Sequence, residues 1–194
     1  MKRVLMYLAL AAPSMSAATV IVQNLTGEGG AVETGWFGQD FTTPGGGPWN
    51  NLAFNFYDDY PPTTPSAAGT AYLFSQQYTE SPSELNSGDA GFIASSTSVA
   101  GGVYSFAPLV TLQANTAYWI FEDTSIPVSG GNVVANEPID FTDTSNGNFG
   151  ASTGTANFTL IGTTPEPQSL IAVLVGLIAI TLIARRPDGK RVNS

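Results

Sequence analysis

The chain has 194 residues and contains neither Cys nor His. All six Lys and Arg residues lie outside Thr19–Thr164, whereas 13 of the 15 acidic residues lie within that span. The composition excludes thiolate nucleophiles, imidazole bases and Cys/His zinc sites. The negative charge repels phosphate backbones and anionic lipid heads, which argues against a nucleic-acid partner.

Met1-Lys2-Arg3 is followed by the nine apolar residues Val4–Ala12 and by Pro13-Ser-Met-Ser-Ala-Ala18. A short basic segment, an apolar run and a small-residue exit predict a signal peptide over residues 1–18. Ser16 and Ala18 meet the small-residue requirement, so signal peptidase is expected to cut between Ala18 and Thr19.

Residues 19–164 are long enough for one domain. Seven runs read as strands: Thr19–Gln23, Leu52–Tyr57, Thr70–Phe74, Gly91–Ala94, Gly102–Phe106, Ala117–Glu122 and Ala156–Ile161. Leu52, Phe54 and Phe56 alternate with Ala53, Asn55 and Tyr57, the period of a half-buried strand. Gly, Pro, Asn and Ser clusters separate the runs, and no helical stripe occurs between them, so the expected fold is an all-β antiparallel sandwich. Phe54, Phe56, Tyr118 or Trp119, Ile120 or Phe121, and Phe158 are the expected core.

Carboxylates are the remaining catalytic equipment. Asp58/Asp59 and Glu122/Asp123 are the acidic doublets, and glycoside hydrolysis needs two acids at a set separation. Adjacent strand residues point to opposite faces, so neither doublet is itself a pair, and both read as solvated strand-end and turn acids. These acids, and a looser group of Asp140, Asp143, Asn146 and Asn148, are candidate Ca²⁺ ligands on charge density. None has EF-hand spacing, and neither a metal nor a cofactor is assigned. Trp36, Trp49 and Tyr60 lie in Gly/Pro-rich loops, where aromatics either cap a sandwich or stack on sugar rings. Asn24-Leu-Thr26 and Asn157-Phe-Thr159 fit the glycosylation sequon.

Pro165-Glu166-Pro167 precedes a 15-residue apolar run, Leu170–Ala184, and then Arg185-Arg186. As a helix the run measures roughly 22 Å, short of about 30 Å of hydrocarbon. Arg185 and Arg186 stand where a positive-inside stop is expected. This order of motif, hydrophobic helix and basic pair resembles the PEP-CTERM sorting signal, here residues 165–194, with a tail after Arg186 that is longer than usual. The resemblance implies a Gram-negative bacterium, an exosortase-type processing enzyme as partner and transient membrane attachment through the helix. It also implies a final place on the outer surface or in an extracellular matrix, with extracellular polysaccharide as a further candidate partner.

Gln39–Thr43, Tyr57-Asp58-Asp59, Tyr104-Ser105-Phe106 and Leu112–Trp119 resemble the choice-of-anchor group of bacterial surface domains. That likeness implies a jelly-roll-like sandwich, and supplies no functional residues. The expectation is a non-catalytic exported surface protein. The alternative is an extracellular carbohydrate-active enzyme using an Asp/Glu pair.

Overall fold

The computed structural model describes residues 17–26, 32–131, 139–143, 147–152 and 155–164. The expected signal-peptide body, the Pro165-Glu166-Pro167 motif, the apolar run and Arg185-Arg186 lie outside the described residues. Ala17–Thr164 forms one compact unit.

The unit is all-β and antiparallel. Its strands are β1 (Thr19–Asn24), β2 (Val32–Gly35), β3 (Gly38–Thr42), β4 (Asn50–Tyr57), β5 (Pro65–Ser66), β6 (Ala71–Phe74) and β7 (Phe92–Ala100). There follow β8 (Val103–Phe106), β9 (Ala117–Glu122), β10 (Ile126–Gly131), β11 (Ile139–Asp143), β12 (Asn148–Ser152), β13 (Thr155–Ala156) and β14 (Phe158–Thr163). A single 3-10 turn, Pro82–Glu84, is the helical element among the described residues.

The main sheet runs β1-β14-β4-β8-β7-β6-β9-β3, with β5 paired to β4. β7 is its corner. Its first half pairs with β6 and its second half with β8, and the register shifts between Leu73 and Phe74 and between Ser96 and Ser98. Such shifts bend a strand and let it serve two faces. The sheet thus folds on itself into a nearly closed barrel or sandwich, with β1 and β3 as its unjoined ends. β11, paired with β12, lies beside β3.

Alternation decides what lies inside. Leu52, Phe54 and Phe56 of β4, Phe158 and Leu160 of β14, Tyr104 and Phe106 of β8, Ala71 and Leu73 of β6, and Tyr118 and Ile120 of β9 form one buried cluster. Phe54 contacts Phe56 edge-on at 4.9 Å between ring centroids and stacks on Phe158 at 5.7 Å. The opposite faces of β6 and β9 are covered too. There Phe74 and Phe121 meet Tyr78, Leu85 and Phe149, with Trp119 packed at the margin. Both alternatives at 120/121 are therefore buried, and Tyr118 rather than Trp119 enters the main core.

Seven strands lie where the sequence places runs, with β7 extended to Ala100. β10 is a strand despite Pro127 because it pairs with short partners, β2 over four residues and β13 over two. These three strands make a small sheet. The Ser129 hydroxyl of β10 donates to the Tyr57 carbonyl at 3.0 Å, tying this sheet to the end of β4.

Register sets the two ends of the unit. Thr19 lies opposite Gly162, and Thr163 opposite Asn50, so β1 begins where β14 finishes. The end of β4, the β7–β8 turn and the end of β9 lie in the other direction along the sheet.

Candidate functional site

The far end carries both acidic doublets, and the structure separates their members by role. In Tyr118-Trp-Ile-Phe-Glu122, Tyr118, Ile120 and Glu122 share the inner face of β9. Glu122 is fully buried, not solvated as expected from its turn position. Its Oε1 accepts the Phe37 N–H at 3.1 Å, and its Oε2 lies 3.0 Å from Tyr104 Oη. Tyr104 Oη also accepts the Ala68 N–H at 3.0 Å and stands 2.7 Å from the Ala68 carbonyl. β8 and β9 are not sheet neighbours, so this cluster crosses the interior. Burial pushes the Glu122 carboxyl well above the usual carboxylate range, against the opposing pull of its Tyr104 and Phe37 hydrogen bonds. Burial and then the nearby Glu122 raise the Tyr104 hydroxyl as well.

Asp123 points the other way. Its Oδ1 accepts the Thr70 N–H at 2.8 Å and the Thr124 hydroxyl at 2.9 Å. Gly69, at φ 64°, lies against the Asp123 and Thr124 side chains, leaving no room there for a Cβ. The Trp36 indole N–H donates to the Asp123 carbonyl at 3.3 Å. Asp59 closes the loop after β4. It accepts the N–H groups of Thr63 at 2.7 Å and Thr64 at 2.9 Å, together with both threonine hydroxyls. The Thr63 hydroxyl first, then the two backbone donors, hold its carboxyl well below the usual range. Asp59 is therefore a loop-closing residue with four donors already in place.

The three loop aromatics divide. Trp49 is buried and pairs with Leu112 across a bridge. Trp36 and Tyr60 are 37% and 50% exposed, and both lie toward the far end. Among the described residues, no group of three acids is arranged to hold a metal ion. Asp140 and Asp143 fall in β11, Asn148 starts β12, and Asn146 lies outside the described residues. Gln39, buried beside Phe37 and Phe41, has an Oε1 with no donor among the described residues.

The Leu112–Trp119 segment is structural. Leu112 fills the core, and Asn115 takes a left-handed conformation with φ 51°. The Thr43 hydroxyl donates to the Gln113 carbonyl at 2.6 Å and accepts the Thr116 N–H at 3.0 Å. The Tyr118 hydroxyl accepts the Gln113 N–H at 2.9 Å, a tyrosine reaching back to upstream backbone as in the corners of β-sandwiches. The Asn157 sequon is sealed, since Asn157 is fully buried and its Nδ2 donates to Ser129 Oγ at 2.9 Å.

At the near end, Ala18 and Thr19 are exposed, and Thr19 is the first residue of β1. Thr164, which leads to Pro165, is also exposed.

The sequence contained a signal for the buried cluster. Period two puts Glu122 on the face of Tyr118 and Ile120, and Tyr104 on the face of Phe106. Phe37, which bonds to Glu122, and Ala68, which bonds to Tyr104, carry no such signal because they bond through the backbone.

The class defined by this geometry is an all-β, cation-free acidic domain held by aromatic burial and hydrogen bonds. No protein-family model matches the chain, and neither a curated protein nor a solved structure matches it.

Proposed function

We propose that the chain is an exported, non-catalytic bacterial surface protein of the PEP-CTERM kind, matured by signal peptidase and an exosortase-type enzyme. The observation that carries this reading is the order Pro165-Glu166-Pro167, apolar run, Arg185-Arg186, placed directly after an acidic domain that has no Lys or Arg. The 15-residue run is a poor permanent anchor, because the missing length must be met by bilayer thinning or snorkelling. It suffices as a stop while the arginines resist translocation. Proline at 165 and 167 disfavours helix around Glu166, which suits a segment that an enzyme must reach.

The geometry of the domain supports the same reading. Thr19, the first residue of β1, and Thr163, the last of β14, lie at one end of the β1–β14 pair. The far end of the sheet lies opposite those two residues. Trp36 and Tyr60 are exposed toward it, offering flat apolar faces to sugar rings, and the nearby acids disfavour anionic chains. The bend at β7 into two facing halves supports a jelly-roll-like reading of the sheet. Glu122 and Asp59, one from each doublet, are committed to internal hydrogen bonds, which weighs against the enzymatic alternative.

Intact-mass spectrometry of the surface-exposed protein tests the processing. The expected mass lacks residues 1–18 and everything after the Pro-Glu-Pro motif; a mass retaining residues 170–194 makes the tail a plain anchor. Replacing Pro165, Glu166 and Pro167 with Ala is expected to trap the uncut form in the membrane. For the ligand, the host's own extracellular polysaccharide is expected to retain the wild-type protein on a column and to release Trp36→Ala/Tyr60→Ala. Equal retention of both moves the contact elsewhere.

A further inference from the structure

The buried Glu122 is part of neither processing signal and is sealed from any ligand, yet its hydrogen bonds contain more information than its burial alone. Tyr104 Oη has three polar neighbours: the Ala68 N–H, the Ala68 carbonyl and Glu122 Oε2. A tyrosine hydroxyl owns one hydrogen. If Glu122 were ionised, its fully buried Oε2 and the half-buried Ala68 carbonyl would compete for that hydrogen, and the loser would lack a donor among the described residues. If Glu122 carries a proton on Oε2, every valence is used. Oε2–H donates to Tyr104 Oη, Tyr104 O–H donates to the Ala68 carbonyl, and the Ala68 N–H fills the remaining lone pair. Oε1 keeps the Phe37 N–H.

We infer that Glu122 is a neutral carboxylic acid in the folded domain, and that its proton closes a latch across the interior that opens on the alkaline side. The latch joins four places distant in sequence: β9 through Glu122, β8 through Tyr104, the entry to β3 through Phe37, and the β5–β6 link through Ala68.

The surroundings agree. The titratable groups near Glu122 are Tyr104, facing it from β8, and Asp123, next in the chain on the opposite face. Phe37 and Ala71, brought by β3 and β6, carry no charge. No Lys, Arg or His occurs anywhere between residues 19 and 164 to neutralise a carboxylate. A charge here would be buried and unpaired, the most costly state for an ion in a protein.

The sign of the pH effect follows. An unfolded glutamate loses its proton near about 4.3, whereas the folded one holds it to higher pH. Between those values folding takes up one proton, so each unit of rising pH disfavours the folded state by about tenfold. The contribution is complete below the unfolded value and is lost as pH rises through the folded one.

Glu122→Gln is the informative variant, because an amide reproduces the neutral acid, with one oxygen to accept from Phe37 and one N–H to donate to Tyr104. The full chain in mild detergent is measured by difference infrared spectroscopy, wild type minus Glu122→Gln, at neutral pH. The expected result is a protonated-carboxyl C=O band in the wild type that the variant lacks; a carboxylate band in its place overturns the inference. Unfolding in denaturant gives a second reading. The ratio of the wild-type folding constant to that of Glu122→Gln is expected to fall about tenfold per pH unit above about 4.3, and a pH-independent ratio overturns the latch. If Glu122→Gln does not fold, infrared titration of the wild type decides. The protonated band must persist well above the ordinary carboxyl range and disappear together with the near-ultraviolet signal of the packed aromatics. Its loss at ordinary carboxyl pH in a still-folded protein refutes the inference.

Discussion

At the scale of single residues, the domain replaces ion pairs with hydrogen bonds from hydroxyls and backbone. Tyr118 is the clearest case, since its ring lies in the core while its hydroxyl takes the Gln113 N–H. Tyr118→Phe keeps the ring and removes that bond, and is expected to lower unfolding free energy by about 1 kcal/mol, read from denaturant midpoints at constant slope. Gly102 shows the opposite constraint. Its φ of 77° and the Pro65 carbonyl beside it leave no place for a Cβ. Gly102→Ala is expected to cost more than about 1 kcal/mol, whereas alanine at the equally left-handed but open Gly101 is strained by conformation alone. Comparing the two variants separates backbone strain from overlap. Asn157 makes a residue-level test of export chemistry. In a host that glycosylates sequons after folding, Asn157 is expected to stay bare because its amide is buried against Ser129. Glycopeptide mapping reads this directly.

At the scale of elements, β14 determines whether the domain closes. It is the last described strand in the chain, yet it lies between β1 and β4. Its Phe158 stacks on Phe54 and its Leu160 is buried beside it. Until β14 is in place, β1 has no sheet partner among the described residues and Phe54 lacks the ring it stacks on. Phe158→Ala is expected to cost roughly 3–5 kcal/mol, measured by equilibrium unfolding. Its effect should exceed that of Trp119→Ala, because Trp119 lies at the margin of the second aromatic cluster. The alternation in Leu52–Tyr57 identified β4 without help from the rest of the chain. β7 was legible only in part. Gly91–Ala94 reads as a strand, but Ser95–Ser98 is polar, and the second half of β7, from Ser96 to Ala100, is held by pairing with β8 rather than by its own pattern.

At the scale of the whole molecule, net charge acts on the domain as a uniform stress. The thirteen acids between residues 19 and 164 have no cation among them, and those that are ionised repel one another in the compact state. Raising ionic strength from very low to about 0.15 M shortens the screening length to about 8 Å. It is therefore expected to raise the thermal midpoint, the reverse of what a fold held by surface ion pairs would show. A fall in the midpoint under the same conditions would point to ionic contacts that stabilise the fold. The closeness of the start of β1 to the end of β14 is also a whole-molecule property, since Thr19 lies opposite Gly162 across 143 residues of chain.

The sequence by itself determined the all-β class, the main strands and most of the core, because period two and turn residues are local signals. It also determined the charge partition and the order of the terminal segments, since both are read along the chain. Tertiary structure alone decided which face of a two-sided strand met the larger core, and so placed Tyr118 rather than Trp119 there. It decided that Pro127 could stand in a strand with short partners, and that β7 would serve two halves of one sheet. It also decided the fate of the acidic doublets, which look alike in sequence. Asp59 closed a loop with local donors only four and five residues along the chain. Glu122 required Phe37, Ala68 and Tyr104, brought together by the fold, before a buried carboxyl could be tolerated.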